Sequence, residues 1–356
     1  MLEAIAKNRV FASVTSPEDL VDLYVSSDRL LGLRGDDRPE AQLMRALANE
    51  PPPQFVQVVG QSGAGKTSMI LRVLADLAKR ETSNVGRPHE VLMFNVGDDP
   101  GRLASPAIFM RTVVQLVARQ GHRFASVDED VLQAAAADER TRTAAQVDHR
   151  ATIDAKFVSY SAGLKEAYET AKFGENPARA RQDFEDVLHL VSAEHRPVIV
   201  IDDTEHFVRR GEGGVDIDSI ANLFHNAIRT LADLQQLDLI LAIHPRYEEV
   251  TAVQEVIERF GFRRIDVPSL APEREDPGLA AILQRRLDRH HIEATIADVV
   301  TADTVGQLES VYFLKDHDLR QVLDLASLAA TAAYRDGAER VERRHLQPLR
   351  DRGARR

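Results

Sequence analysis

Two kinds of apolar pattern alternate along most of this chain. Short and mainly apolar runs, which are typical of strands covered on both faces of a sheet, occur within residues 55–59, 90–96, 197–203 and 237–244. Other apolar residues recur at three- and four-residue spacing, which predicts amphipathic helices such as the one carrying Ile70, Val73, Leu74 and Leu77. A fifth strand is predicted at residues 263–268. The alternation predicts an α/β fold with a parallel sheet between layers of helices.

The same pattern divides the chain into regions. Residues 1–50 are predicted to form a helical segment that leads into the core, with Ser16 capping a helix start. Residues 51–271 are predicted to form the core. A helical insertion is expected at about 125–177, where large apolar residues are few. Residues 272–356 show helical spacing only, which predicts a C-terminal helical lid subdomain with an arginine-rich tail.

The composition narrows the class of protein. The 356 residues carry a formal net charge of −11, which argues against a globally basic nucleic-acid binder but leaves room for a local basic patch. There is no cysteine, so disulfides and thiolate metal sites are excluded. No apolar run is long enough to cross a membrane, and residues 1–10 lack the apolar stretch of a signal peptide. We therefore predict a soluble cytoplasmic protein with no membrane partner.

The clearest chemical signal follows the first predicted strand. It reads G-Q-S-G-A-G-K-T and fits the phosphate-binding pattern G-x-x-x-x-G-K-[ST], the P-loop or Walker A motif. Its glycines let the main chain approach a ligand, and the N–H groups of the loop and of the next helix can point at phosphate oxygens. Lys66 suits the β- and γ-phosphates, and the Thr67 hydroxyl suits Mg²⁺. The predicted nucleotide-binding residues are Gly60, Gln61, Ser62, Gly63, Ala64, Gly65, Lys66, Thr67 and Ser68.

Acidic residues end the strand that looks most buried, in the sequence P-V-I-V-I-D-D. A nucleoside triphosphatase needs a carboxylate for Mg²⁺ and a group that positions the attacking water. Because parallel sheets bind ligands at the carboxyl ends of their strands, Asp202 fits the metal role as a Walker B residue. Asp203 and Glu205 are alternatives for the residue that orients the water.

These motifs together resemble those of the AAA+ P-loop ATPases. The similarity rests on G-Q-S-G-A-G-K-T, I-V-I-D-D, a strand that ends in A-I-H-P, and D-H-D-L-R on a late helix. The nearest groups are the initiator or origin-recognition clade and the related transposition-regulator ATPases. In that clade, the stretch before the P-loop, here L-L-G-L-R-G-D-D-R-P-E-A-Q-L, usually lines the adenine pocket.

The resemblance implies further roles for single residues. Asp202 takes the Mg²⁺ role, while Asp203 stands where the family usually has a glutamate. His244 ends the strand where the family has a polar sensor of the γ-phosphate, usually Asn or Thr. Arg320 stands where an arginine of the lid reaches the γ-phosphate. Arg259 stands where an arginine finger points to the nucleotide of a neighbouring subunit.

We therefore expect an ATPase that uses ATP and Mg²⁺ and forms a homo-oligomer. Its nucleotide state would drive assembly or an interaction with a protein partner or with DNA. Three alternatives remain at this point. One is a signalling switch of the STAND type with little turnover, and another is a DNA-loading oligomeric ATPase of a transposition or defence system. The third is a small-molecule P-loop kinase.

Overall fold

The structure is a computed structural model that describes parts of all three predicted regions. The described residues are 1–14, 16–49, 53–81, 88–96, 105–119, 177–202, 204–207, 216–270, 278–314 and 318–346. Apart from Pro177, the predicted insertion at about 125–177 lies outside them, as do Asp203 and residues 347–356 of the tail.

The core is a five-stranded parallel sheet with the strand order β2-β3-β4-β1-β5, as the sequence predicts. Strand β1 pairs in parallel with β4, where Val59 lies opposite Ile243. Strand β3 pairs in parallel with both β2 and β4. The strands are β1 (Phe55–Val59), β2 (His89–Asn95), β3 (Arg196–Asp202), β4 (Asp238–Ile243) and β5 (Arg263–Asp266).

Burial explains why apolar and polar residues do not alternate along the inner strands. Every residue of β1 and β4 is buried, and so is every residue of β3 after Arg196. Both faces of these strands therefore require apolar side chains. Strand β5 lies at the edge of the sheet, and Ile265 is the one residue of its four that is buried.

Helices and turns on the sheet share one apolar core with it. Phe94, Phe184 and Phe224 are among its largest members. The helical run at residues 217–233 is continuous and has a π-helical middle, and its apolar residues Ile220 and Leu231 are fully buried. The helical segments of this part are Pro106–Arg119, Pro177–Glu194, Thr204–Phe207, Ile217–Asn222, Leu223–Ile228, Arg229–Asp233, Pro245–Glu249 and Thr251–Phe260.

The chain forms two compact units that are not continuous in sequence. One comprises Met44–Val59 and Leu74–Ile265 and contains nearly all of the sheet. The other comprises Met1–Leu43, Gly60–Val73 and Asp266–Arg356. This division groups the N-terminal residues and the P-loop with the C-terminal helices.

Apolar contacts explain why the N-terminal residues belong to the second unit. Leu2, Ile5 and Phe11 are buried in the same cluster as Leu283 and Ala329. Ser16 caps a helix as predicted, because its side chain accepts a hydrogen bond from the backbone N–H of Asp19. The helical segments that lie wholly in this unit are Leu2–Lys7, Pro17–Asp22, Ser27–Leu31, Gly35–Asp37, Gly278–Arg289, Ile296–Val299, Ala302–Leu314, Leu319–Arg335 and Arg343–His345.

Two further helices cross the boundaries of these units, namely Pro39–Asn49 and Lys66–Glu81. None of the described helices has the combination of length and apolar character that crossing a bilayer requires.

A buried ion pair lies at the end of the sheet where its strands begin, which we call the amino-terminal edge; the end where the strands finish is the carboxyl-terminal edge. Asp238, the first residue of β4, is fully buried and accepts hydrogen bonds from Arg196 Nε at 2.5 Å and from the backbone N–H of Gln54 at 2.7 Å. Arg196 also donates from Nη1 to the carbonyl of Leu47 at 2.7 Å. The pair therefore ties β1, β3, β4 and the helix Pro39–Asn49 together where the strands begin.

We predict that Asp238→Asn lowers the free energy of unfolding by about 3–5 kcal/mol, because the guanidinium of Arg196 then lies largely buried without its counter-charge. Urea unfolding followed by circular dichroism measures the change. The matched control is Glu258→Gln, which removes an exposed carboxylate from the same unit and should change stability by about 0.5 kcal/mol or less. Equal stability of the two variants would contradict this account of the amino-terminal edge.

Candidate functional site

The loop after β1 has a backbone that glycine alone adopts readily. Gly63 and Gly65 have φ angles of 74° and 92°, in the left-handed region that a Cβ disfavours. The backbone N–H of Ala64 donates to the carbonyl of Gln61 at 3.1 Å, which closes the turn. The next helix, Lys66–Glu81, begins directly after Gly65, so the N–H groups of its first turn are available to an anion.

Lys66 is buried inside this loop. Its side chain has 3% relative exposure, and Nζ donates to the carbonyls of Gly60 at 2.8 Å and Gln61 at 3.0 Å. The ammonium group is therefore enclosed by the loop that the sequence predicts to bind phosphates. Thr67 and Ser68 follow in the first turn of the helix and are half-buried.

The tip of the loop contacts a C-terminal helix. A Cβ placed on Gly63 would lie 2.8 Å from the backbone nitrogen of Leu319 and 3.2 Å from the Cα of Asp318, so no larger residue fits there. Leu319 is the first residue of the helix Leu319–Arg335, which we call the lid helix. Asp318 caps this helix by accepting from the backbone N–H of Gln321. Arg320 is exposed in the first turn of the lid helix, beside the residue that meets the P-loop.

The carboxyl-terminal edge of the sheet holds two further predicted residues, Asp202 and His244. Asp202 is the last residue of β3 and has 4% relative exposure. His244 follows β4 and is also buried. Its Nδ1 accepts a hydrogen bond from the backbone N–H of Arg246 at 3.2 Å, so that a neutral ring carries its proton on Nε2. The side chain thus caps the turn Pro245–Glu249 with one nitrogen and can donate from the other.

Two residues that the sequence interpretation did not single out hold the segment after β3. Thr204 is buried, and its Oγ1 donates to the carbonyl of Ala242 in β4 at 2.6 Å. The hydroxyl of the fully buried Tyr247 donates to the carbonyl of Thr204. No motif marks either residue, because both bonds join positions that are far apart in sequence. Glu205 lies in the short turn Thr204–Phe207, while its rival Asp203 lies outside the described residues.

Arg259 is not near Asp202 or His244 in its own chain. It lies at the end of the helix Thr251–Phe260, just before β5 begins, and is therefore at the amino-terminal edge of the sheet. Arg259 Nη2 lies 3.3 Å from Asp233 Oδ1, and its guanidinium lies 5.1 Å from the ring centre of Phe260. It lines an open groove of about 490 Å³ together with Pro53, Gln54, Phe55, Gln235, Phe260, Gly261 and Arg263. Half of the Arg259 side chain is exposed.

Metal ligands can be assessed from the donor set. Among the described residues, no three His, Asp or Glu side chains gather into a cluster that could hold a metal by themselves. Thr67 offers a hydroxyl and Asp202 a buried carboxylate. These are the oxygen ligands that Mg²⁺ takes where phosphates and water complete its coordination. The predicted residues therefore fit a magnesium–nucleotide complex in their chemistry.

Solved structures show the same fold. The ORC1 protein of Aeropyrum pernix, in complex with DNA, aligns with a TM-score of 0.54 at 18% identity, over 92% of this chain and 69% of that one. Drosophila ORC bound to DNA aligns with a TM-score of 0.50 at 14% identity, over 97% of this chain and 64% of that one. The ADP form of the Aeropyrum pernix ORC2 protein gives 0.52 at 14% identity, over 96% and 71%.

The chain thus spans about two thirds of the length of these structures, and at such identities the likeness concerns the fold alone. No curated protein matches the chain. In contrast, the family described as AAA ATPase domain matches residues 37–243, which is more than half of the chain and includes the P-loop, Asp202 and β4. The resemblance to AAA+ ATPases is therefore confirmed, the likeness to the origin-recognition structures is one of fold, and the chain belongs to the AAA ATPase domain family.

Proposed function

We propose that this protein binds and hydrolyses ATP with Mg²⁺, and that its nucleotide state drives assembly or an interaction with a partner. The observation that carries the proposal is the P-loop, in which a buried lysine is enclosed by a main chain that the left-handed glycines Gly63 and Gly65 shape. Membership of the AAA ATPase domain family supports the same activity.

Lys66 is expected to exchange partners when nucleotide binds. Its ammonium group now satisfies its donors with the carbonyls of Gly60 and Gln61. The β- and γ-phosphates of ATP are stronger, charged acceptors, and burial reduces the screening of their attraction to the lysine. The N–H groups of the loop and of the first turn of Lys66–Glu81 would then hold the remaining phosphate oxygens.

The catalytic roles follow the predicted assignments. Thr67 and Asp202 would hold the metal, and Mg²⁺ when bound neutralises charge on the phosphates. Asp203 or Glu205 would orient the attacking water. His244 would donate from Nε2 to the γ-phosphate, and Arg320 would reach the same group from the lid helix. Catalysis in this scheme consists of positioning and charge stabilisation.

A homo-oligomer would complete the site. Arg259 lies at the opposite edge of the sheet from Asp202, so it could serve a nucleotide only on another subunit. Its exposure and its place in an open groove are compatible with that role. The ORC1 and Drosophila ORC structures are complexes with DNA, so DNA is one candidate partner, and a protein is the other. A DNA-loading ATPase of a transposition or defence system remains the narrower form of this proposal.

A second candidate function is a STAND-type switch that holds nucleotide and rarely hydrolyses it. The specific observation that favours it is His244, whose Nδ1 is engaged by the backbone N–H of Arg246 and which stands where the family usually has Asn or Thr. Turnover measured with and without DNA separates the two functions. Steady hydrolysis that DNA or oligomer formation stimulates supports the ATPase, whereas one stoichiometric turnover supports the switch.

We predict that Lys66→Ala weakens ATP binding by about a hundredfold or more, because the phosphates lose a buried cation that can contact two of them. Isothermal titration calorimetry measures the affinity. Lys79→Ala is the matched control, since Lys79 is an exposed lysine on the same helix and should leave the affinity unchanged. Unchanged ATP affinity in Lys66→Ala would remove the basis of the proposed function.

We predict that Asp203→Asn or Glu205→Gln separates binding from hydrolysis. The variant that lacks the water-orienting carboxylate should keep its ATP affinity and lose about a hundredfold or more in turnover. Phosphate release under single-turnover conditions measures the rate. The other variant of the pair is the internal control, and wild-type rates in both would exclude this pair from the role.

We predict that turnover per subunit rises with protein concentration and that Arg259→Ala abolishes the rise. An arginine supplied by a neighbouring subunit is worth about 10³–10⁵ in turnover in related phosphoryl transfer. Arg229→Ala is the matched control, because Arg229 also lies near Asp233 but does not line the groove.

Mixing Arg259→Ala with Lys66→Ala should restore activity at interfaces that pair an intact P-loop with an intact arginine. If turnover per subunit is constant through the monomer range and Arg259→Ala behaves as the wild type, the site is complete within one chain.

A further inference from the structure

A single peptide group near the N-terminus is bonded at both ends by two C-terminal helices. The carbonyl of Ala12 accepts a hydrogen bond from Arg286 Nη1 at 2.5 Å. The N–H of Ser13, which belongs to the same peptide group, donates to Asp324 Oδ1 at 3.0 Å. Arg286 lies on the helix Gly278–Arg289 and Asp324 on the lid helix, so this peptide group joins the two helices.

Both side chains that bond this peptide group are charged, and one of them is buried. Arg286 has 5% relative exposure, and desolvation lowers its pKa to about 10, against an opposing effect of the Asp324 carboxylate. The hydroxyl of Ser13 gives Asp324 a further hydrogen bond at 2.9 Å. Asp324 therefore serves both as a counter-charge for a buried guanidinium and as a double acceptor for Ser13.

Other contacts hold the N-terminal residues on the same helices. Arg285 Nε donates to the carbonyl of Asp22 at 2.8 Å, and Arg289 Nε lies 3.0 Å from Asp22 Oδ2. The helix Leu2–Lys7 packs along the lid helix, with Leu2 and Ile5 buried in the shared core. The first 22 residues are thus anchored at several points along the C-terminal helices.

The contact at Asp324 lies one helical turn along the lid helix from Arg320. Arg320 and Asp324 are four residues apart on the lid helix and therefore lie on the same side of it. The backbone nitrogen of Leu319, one residue before Arg320, is the atom that leaves no room for a Cβ at Gly63. A displacement of the lid helix at Asp324 would consequently move Arg320 relative to the P-loop.

We propose that Ser13 and Asp324 are positioning residues for Arg320. Their contact fixes the first turns of the lid helix, and this holds Arg320 in place to contact the γ-phosphate. This inference rests on the proposed function, because it assigns Arg320 a role toward bound ATP. It extends that function by making the γ-phosphate contact depend on the N-terminal segment.

The test compares two nucleotides that differ in the γ-phosphate. Affinities of the full chain for ADP and for a non-hydrolysable ATP analogue are measured by calorimetry with Mg²⁺. Asp324→Asn should weaken binding of the ATP analogue about tenfold and change ADP affinity less than about twofold, because only the analogue presents a γ-phosphate to Arg320. Ser13→Ala, which removes one of the two hydrogen bonds to Asp324, should weaken the analogue about threefold.

Three controls separate positioning from simple loss of structure. Asp303→Asn removes an exposed carboxylate from a neighbouring helix of the same unit and should change neither affinity. Combining Arg320→Ala with Asp324→Asn should be no worse than Arg320→Ala alone, because Asp324 acts through Arg320. Thermal unfolding of each variant checks folding, and Ser13→Ala serves as the test if Asp324→Asn does not fold.

Equal weakening of both nucleotides, or none, in Asp324→Asn and Ser13→Ala would overturn the proposal while leaving the ATPase assignment intact. An unchanged preference for the ATP analogue in Arg320→Ala would also overturn it, because Arg320 would then have no contact to be positioned for. Absence of nucleotide binding in the wild type would overturn the proposed function itself, a result that Lys66→Ala tests independently.

Discussion

Burial of a parallel sheet on both faces leaves polar groups at the two ends of its strands, and each end satisfies them differently. At the amino-terminal edge, Asp238 and Arg196 neutralise each other and also bond the backbone at Gln54 and Leu47. Both charges of this pair are used within the fold. At the carboxyl-terminal edge, the buried Asp202 ends β3, and the buried His244 after β4 accepts a hydrogen bond on Nδ1 from the backbone N–H of Arg246. The ion pair at the first edge stabilises the sheet, while Asp202 and His244 at the second edge are the residues to which the proposed function assigns roles.

Two buried residues stabilise the carboxyl-terminal edge through hydrogen bonds to the backbone. Thr204 bonds the carbonyl of Ala242, and Tyr247 bonds the carbonyl of Thr204. The bonds fix the chain just after Asp202 to the neighbouring strand and to the turn after β4. His244 serves the same turn through Nδ1. The polar residues of this edge are therefore positioned by one another as well as by the sheet.

In the other unit, the P-loop and the N-terminal residues both pack against C-terminal helices. Gly63 accommodates the lid helix because it has no side chain, and Ser13 bonds the same helix through Asp324. These contacts make the N-terminal segment a structural element of the lid. The nucleotide-binding loop is thus continuous with the sheet in sequence but packs with the helices that follow the sheet.

The sequence by itself determined the features that depend on local patterns. The apolar runs located all five strands to within two residues, and the Ser16 cap was correct. The P-loop motif marked Gly63 and Gly65, which are left-handed, and a helix follows the loop from Lys66 as expected. Each of these depends on neighbours within a few positions. The strand alternation also sufficed for the parallel α/β architecture, since helical crossovers between strands impose it.

Tertiary structure alone decided the contacts between distant positions. Ser13 and Asp324 are 311 positions apart, and Arg196 and Asp238 belong to different strands. Nothing in the local sequence of either pair indicates its partner, because a single carboxylate or arginine reads as an ordinary surface charge until the fold buries it. The grouping of the N-terminal residues with the lid has the same origin. Their apolar side chains are too few to form a core, and packing against the C-terminal helices is what removes them from water.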